Sequence, residues 1–177
     1  MAKRYFIETF GCQMNDLDSE KMAGSLVAAG MEPAGDPAQA DVILLNTCSV
    51  RDKAVQKVYA RLGEIRRYAK RKDVVVGVVG CMPQLEGARV LERAPFVKLL
   101  AGPQKGHAMG RLVQLCARDE KPVIDLRSDA DPGPLETFSI VRGSRWRASI
   151  TISEGCSRRC AYCVVPLTRG KERVRPC

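Results

Sequence analysis

The sequence has no long apolar run, no secretory signal pattern and only one histidine. No apolar stretch approaches the roughly 18 residues that cross a bilayer, so we expect no membrane partner. The opening residues, MAKRYFIETFGCQMND, lack an apolar segment that ends in small residues, and we expect a cytoplasmic protein. The single histidine, His107, falls on a predicted helix far from the cysteine clusters, and we interpret it as a surface or packed residue.

Cysteine, by contrast, is plentiful, with eight residues in 177. Thiols stay reduced in the cytosol, so cysteines there indicate metal binding or catalysis before they indicate disulfides. We interpret Cys116 differently from the others: it lies among leucines in RLVQLCARDE and is typical of a buried helix cysteine.

Positive charge exceeds negative charge, with a formal net charge of +9 that is concentrated late in the chain. Residues 142–175 carry two acidic residues and nine basic ones, Arg142, Arg145, Arg147, Arg158, Arg159, Arg169, Lys171, Arg173 and Arg175. Clustered positive charge beside cysteines favours a phosphate-rich partner such as nucleic acid. A solvated basic face is the alternative interpretation.

The first 126 residues alternate between short apolar runs and amphipathic stretches. The predicted strands are 4–10, 41–47, 73–80, 96–102 and 122–126, and helical patterns separate them, one with Ser49 as candidate N-cap. Continuous β-branched strands that alternate with helices predict an α/β fold with a doubly wound, mostly parallel sheet.

A change of composition then predicts a domain boundary. The residues RSDADPGPLE are typical of a linker, and a new strand is predicted over 147–155. We therefore predict an α/β domain over 1–126, a linker over 127–145 and the start of a second domain over 146–177.

Three cysteines each follow a predicted strand and precede a helix: Cys12, Cys48 and Cys81, the first cysteine triad. The carboxyl ends of parallel strands share one edge of a sheet, so these thiols are expected to converge there. Helix N-termini also favour thiolate. The pattern favours a shared metal or cluster site, and three independent buried thiols are the alternative.

The second cysteine triad, Cys156, Cys160 and Cys163, lies within one loop. Structural zinc takes four ligands and this loop supplies three, although Cys177 could provide a fourth. Iron–sulfur clusters are held by cysteine thiolates, and three protein ligands leave one iron open.

The residues CSRRCAYC resemble the radical S-adenosylmethionine signature, with Tyr162 in the aromatic place before the last cysteine. TFGCQMND, LLNTCSVRDKA and VVGCMPQLEG are similar to the N-terminal domain of the methylthiotransferases. The resemblance covers the whole chain and is closest to the tRNA-modifying branch.

The resemblance implies two 4Fe-4S clusters, one per cysteine triad. The second triad would hold the cluster that binds S-adenosyl-L-methionine, with Tyr162 beside the cofactor, and the first triad would hold an auxiliary cluster that carries the sulfur to be inserted. The barrel of the radical domain would begin after the linker. A reductant protein such as a flavodoxin or ferredoxin, and a sulfur donor, are the implied protein partners.

The implied reaction adds a methylthio group to C2 of N6-isopentenyladenosine at position 37 of tRNA, in the anticodon loop. We expect Arg158, Arg159, Arg169 and Lys171 to contact RNA phosphates. Threonylcarbamoyl-adenosine in tRNA, or a ribosomal protein, is the alternative substrate.

The chain departs from that family in length, because only 32 residues follow Arg145. One or two strands cannot close a barrel, so we expect a fragment, inactive alone, whose residues from about 145 onward are poorly anchored. A metal-binding, RNA-associated fragment without turnover is the non-enzymatic alternative.

Overall fold

The computed structural model describes residues 2–49, 52–71, 73–119, 121–126 and 139–175. Its main feature is a six-stranded sheet in the order β2-β1-β3-β4-β5-β6, and every neighbouring pair in it is parallel. The strands are β1 (Arg4–Phe10), β2 (Glu32–Pro33), β3 (Val42–Thr47), β4 (Val75–Gly80), β5 (Leu99–Ala101) and β6 (Val123–Asp125).

Helices connect these strands and cover the sheet on both faces. They are α1 (Gln13–Ala28), α2 (Asp52–Ala69), α3 (Cys81–Glu86), α4 (Arg89–Arg93) and α5 (Met109–Arg118), and two 3₁₀ helices cover Pro37–Gln39 and Pro103–Ala108. Helices α1 and α5 pack on one face, through Leu26 and Leu112 among others. Helices α2 and α4 pack on the other, through Leu62 and Val90. The predicted doubly wound α/β architecture is confirmed for this sheet.

The two central strands explain why the sheet forms where it does. Every residue of β3 and β4 is buried, and the side chains alternate between the two faces. Val42 and Leu44 enter the core beneath α1 and α5, whereas Ile43 and Leu45 enter the core beneath α2. A run of apolar residues with no polar alternation is therefore buried on both sides, as parallel sheets require.

Most of the predicted elements are confirmed, with ends that differ by a few residues. Helix α2 is described from Asp52 onward, and residues 50 and 51 lie outside the described residues. The prediction that Ser49 caps this helix gains no support, because Ser49 Oγ has no hydrogen-bond partner among the described residues.

The strand predicted over 147–155 is wrong over most of its length. Only Ser153–Glu154 form a strand, β7, which pairs antiparallel with β8 (Arg173–Val174). Ile150 and Ile152 are exposed. Among the described residues, the only strand that pairs with this stretch is β8, which has two residues. A partner of that length cannot hold a strand of nine residues.

The prediction that residues beyond 145 are poorly anchored is also wrong for the described part. A short helix, α6 (Val165–Arg169), packs against α3 and the 3₁₀ helix at Pro103. Thr151, Thr168 and Arg169 are buried. Twelve of the nineteen residues of the predicted linker, 127–138, lie outside the described residues, but Val141 N donates to Glu20 O of α1 at 3.2 Å. This part of the chain is docked on the α/β domain.

Across the parts of the chain that the structure describes, no helix combines the length and apolar character that a membrane crossing requires.

Candidate metal centre at the carboxyl edge of the sheet

The ends of three adjacent strands are in register, and a cysteine follows each of them. Phe10 of β1 pairs with Thr47 of β3, and Thr47 pairs with Gly80 of β4. Cys48 and Cys81 come next in the chain after the second and third of these residues, and Cys12 follows the first after one glycine. Neighbouring strands lie about 4.8 Å apart. The fold therefore brings the first cysteine triad to one edge, as the sequence predicts.

This edge coincides with the point where the sheet changes winding direction. The chain leaves β1 towards β2 on one side, and β3 lies on the other side of β1. Doubly wound sheets bind ligands in the crevice at such a switch point, outside the carboxyl ends of the strands. Cys12 and Cys48 stand on the two sides of that crevice.

The three thiols differ in exposure and in their position relative to helices. Cys12 is exposed, is the N-cap of α1, and donates its thiol to Asn15 Oδ1 at 3.3 Å. Cys81 is buried and is the first residue of α3. Cys48 is buried and lies four residues before Asp52, the first described residue of α2. The helix N-terminus prediction is thus confirmed for Cys12 and Cys81.

A buried amide pair joins α1 to the end of β3 directly beneath these thiols. Asn15 Nδ2 donates to Asn46 Oδ1 and to Thr47 O, both at 3.1 Å, and Asn46 Nδ2 donates to Asn15 O at 2.8 Å. Gly11 completes the contact, because a Cβ there would lie 3.0 Å from Cys48 Cβ and closer still to Asn15. The loop that carries Cys12 therefore lies against Cys48.

Charge and burial act in opposite directions on Cys81. Burial raises the pKa of the Cys81 thiol, whereas the guanidinium of Arg169 and a hydrogen bond with the Thr168 side chain lower it. Cys48 is close enough to Cys81 to act on it electrostatically. Two residues of α6, which follows the second triad, therefore lie at the first triad.

The described residues contain no group of three or more His, Cys, Asp or Glu side chains that could hold a metal ion. The donor chemistry nevertheless fits an iron–sulfur cluster, because the three side chains at this edge are all thiols and thiolates are the ligands that such clusters use. The ligand role of the first triad stays a prediction.

The second cysteine triad lies in the loop between β7 and α6. Cys160 is exposed, Cys156 and Cys163 are partly buried, and Cys163 N donates to Cys160 O at 3.1 Å. Cys156 N donates to Gly170 O at 3.1 Å, which closes the base of the loop. These three thiols come from one loop, as predicted, and their ligand role is likewise a prediction. Cys177 lies outside the described residues.

The other predicted site residues separate into exposed and buried groups. Tyr162 is 89% exposed, and Arg158, Arg159 and Lys171 are exposed as well. Their proposed contacts, with S-adenosylmethionine and with RNA, stay predictions.

The expectation that Arg169 contacts RNA is corrected by its surroundings. Its side chain is 8% exposed and donates Nη2 to Asp18 Oδ2 at 2.6 Å and Nη1 to Glu154 Oε1 at 3.1 Å. An arginine whose guanidinium is buried between two carboxylates is not offered to a phosphate.

These contacts belong to a buried ion-pair cluster that consists of Asp18, Glu154, Arg169 and Arg173. Arg173 Nη2 donates to the second carboxylate oxygen of Glu154 at 2.8 Å. Burial raises the pKa of Asp18, while the charge of Arg169 lowers it. No sequence pattern used above predicts this cluster. The available signal was Asp18 itself, a carboxylate on the apolar face of α1 beside Leu17 and Met22.

An open cleft of about 380 Å³ adjoins the first triad on the α2 side. It is lined by Ser49, Val55, Gln56, Met82, Leu85 and Glu86. Ser49 follows Cys48 and Met82 follows Cys81 in the chain, although neither thiol lines the cleft, and its volume is that of a small-molecule site.

Comparison with known proteins gives matches over both parts of the chain. The sequence model of the uncharacterized protein family UPF0004 matches residues 4–102, which include the whole first triad. A tRNA-2-methylthio-N(6)-dimethylallyladenosine synthase from Acidovorax sp. (strain JS42) is 47% identical over 99% of this chain and 39% of its own length. The synthase of the same name from Delftia acidovorans is 46% identical over 99% of this chain and 40% of its own length. The chain thus spans about two fifths of the length of these relatives.

Proposed function

The chain belongs to the UPF0004 family, and on that premise we propose that its whole protein is a radical S-adenosylmethionine methylthiotransferase. The reaction would add a methylthio group to C2 of N6-isopentenyladenosine at position 37 of tRNA. The observation that carries the proposal is the alignment of three strand ends, each followed by a cysteine, at one edge of a doubly wound sheet.

The similarity of the relatives supports the substrate class. Their printed name describes synthesis of a methylthiolated adenosine in tRNA, and the matched stretch covers 99% of this chain. The match includes the second triad as well as the first, so both groups of thiols belong to the region of similarity.

Each triad would hold one 4Fe-4S cluster, and the second would also bind S-adenosylmethionine. When bound, these groups supply radical chemistry, which suits an adenine C2 whose C–H bond is not activated for acid–base steps. The protein residues hold and orient these groups. Cys48 and Cys81 are buried, which limits solvent access to a group bound there, whereas Cys12 and Cys160 lie at the surface.

We also propose the domain boundaries that the sequence composition predicts. Residues 1–126 form the α/β domain, residues 127–145 form the linker, and residues 146–177 begin the barrel of the radical domain. A reductant protein such as a flavodoxin or ferredoxin, and a sulfur donor, complete the reaction. The exposed side chains of Arg158, Arg159 and Lys171 support contact with RNA phosphates.

Metal analysis tests the two cluster sites separately. After anaerobic reconstitution with iron and sulfide, the chain should hold about eight iron atoms, four for each triad. The variants Cys48→Ser and Cys160→Ser should each lose about half of that iron, whereas the control Cys116→Ser should keep it. Stoichiometric zinc with little iron would contradict the proposal.

Nucleoside analysis tests the substrate. A strain that lacks the gene should lose the methylthio group from tRNA, and the full-length gene should restore it, as measured by mass spectrometry of digested tRNA. If a ribosomal protein lost its methylthio group instead, the substrate assignment would be wrong.

A further inference from the structure

The buried ion-pair cluster connects two parts of the chain that are distant in sequence. Arg169 ends α6 and Asp18 lies on α1, 151 residues apart. Glu154 lies on β7 and Arg173 on β8, so both strands of this antiparallel pair also take part. The cluster contains two carboxylates and two guanidinium groups, and its charges balance.

Because the cluster is buried, each of its charges needs a partner of opposite charge. The side chains of Arg169, Asp18 and Glu154 are all less than one tenth exposed. A charge taken out of water must be compensated by its partner, and removal of one partner leaves the other uncompensated, which is strongly destabilising. The fork of arginine also allows one guanidinium to reach two carboxylates, which the single ammonium of lysine does not.

The cluster places α6 between the two cysteine triads. Cys163 lies two residues before α6, and α6 packs against α3, the helix that begins at Cys81. Gln104 Nε2 donates to Arg169 O at 2.9 Å and fixes the end of the helix from a third side. The docking of α6 thus determines how close the second triad comes to the first.

We propose that Arg169 is a positioning residue that, through Asp18 and Glu154, fixes the loop of the second cysteine triad against Cys81 of the first. The role of this docking in catalysis rests on the proposed function, because the two triads need a fixed separation only if both take part in one reaction. The contacts that hold α6 in place are all between residues of this chain.

Alkylation of the metal-free chain tests the docking. Each cysteine's reaction rate with N-ethylmaleimide is measured by peptide mass spectrometry in the wild type, in Asp18→Asn and in Arg169→Lys. Cys81 should react at least about tenfold faster in both variants, because α6 no longer covers it. Cys116, which is a buried residue of α5, should stay unreactive and reports on global unfolding.

A matched control comes from the same helix. Glu20 is two residues from Asp18 and also pairs with the later part of the chain, through Arg142 at 3.1 Å, but that arginine side chain is 36% exposed. Exposed ion pairs contribute little, so Glu20→Gln should leave the Cys81 rate unchanged.

Two results would overturn the proposal. One is an unchanged Cys81 rate in both Asp18→Asn and Arg169→Lys. The other is a parallel rise at Cys116 in both variants, since the cluster would then support the whole fold and not the docking of α6. Failure of the wild-type chain to take up iron would refute the proposed function and would leave these alkylation outcomes interpretable.

Discussion

At the scale of single residues, the surroundings of a cysteine determine its role more than the residue type does. Cys116 and Cys81 are both buried cysteines with raised pKa values. The Cys116 thiol donates to Lys98 O at 3.3 Å within an apolar core, whereas Cys81 lies near Cys48, Thr168 and Arg169. Residue type alone thus does not separate a core thiol from a candidate ligand.

Cys116 should make the stability of the chain depend on alkaline pH. Burial raises its pKa from 9.0 to about 11, so the folded state keeps a proton that the unfolded state loses. The contribution of the protonated Cys116 thiol to the free energy of unfolding is therefore fully present below pH 9. It is lost as the pH rises towards 11, which lowers the free energy of unfolding by about 2 to 3 kcal/mol.

Urea denaturation between pH 8 and pH 11 checks this prediction. The free energy of unfolding should fall more steeply with pH in the wild type than in Cys116→Ala, which has no thiol to ionise. Equal slopes in the two proteins would contradict the assignment of the raised pKa to Cys116.

At the scale of secondary structure elements, the strand-to-helix turns determine where the thiols lie. Gly80 has φ +99°, a conformation that side chains disfavour, and it leads directly from β4 into Cys81. A Cβ at this position would meet Thr47 O and would lie 2.7 Å from Asn46 Oδ1. The glycine therefore lets the turn pass close to β3.

Gly80→Ala should lower the free energy of unfolding by roughly 2 to 3 kcal/mol. The backbone at this φ is strained for alanine, and the new methyl group would clash with Thr47 and Asn46. Gly63→Ala is the opposite control: Gly63 lies within α2, where a Cβ would meet nothing within 4 Å. That change should stabilise the chain by about 0.5 to 1 kcal/mol. Urea denaturation of both variants distinguishes the two directions, and an unchanged midpoint for Gly80→Ala would argue against the turn geometry.

At the scale of the whole molecule, some positively charged side chains form buried ion pairs and others are exposed to solvent. Arg169 and Arg173 neutralise buried carboxylates. Arg142 pairs with Glu20, and Arg175 Nε donates to Thr151 O at 3.0 Å. Several basic residues in 142–175 therefore stabilise the fold through these contacts. Of the residues predicted to contact RNA, the exposed ones are Arg158, Arg159 and Lys171.

Binding of an anticodon stem-loop RNA should depend on salt through these exposed arginines. In the double variant Arg158→Ala and Arg159→Ala, the slope of log affinity against log salt should fall by about 0.7 to 0.9 per arginine. Arg118→Ala is the matched control, because Arg118 is exposed at the end of α5. Fluorescence anisotropy at several salt concentrations measures the slopes, and equal slopes in all three proteins would count against RNA contact at the second triad.

The sequence by itself determined the α/β sheet, its buried central strands and the convergence of Cys12, Cys48 and Cys81. Local hydrophobic periodicity sets the strands and helices, and parallel pairing brings strand ends to one edge. Only the tertiary structure decided the role of Arg169, the shortness of β7 and the docking of α6 on Cys81. These features depend on contacts between residues about 20 to 150 positions apart along the chain, which no local pattern encodes. A buried arginine and a solvated arginine look the same in sequence until their distant carboxylates are found.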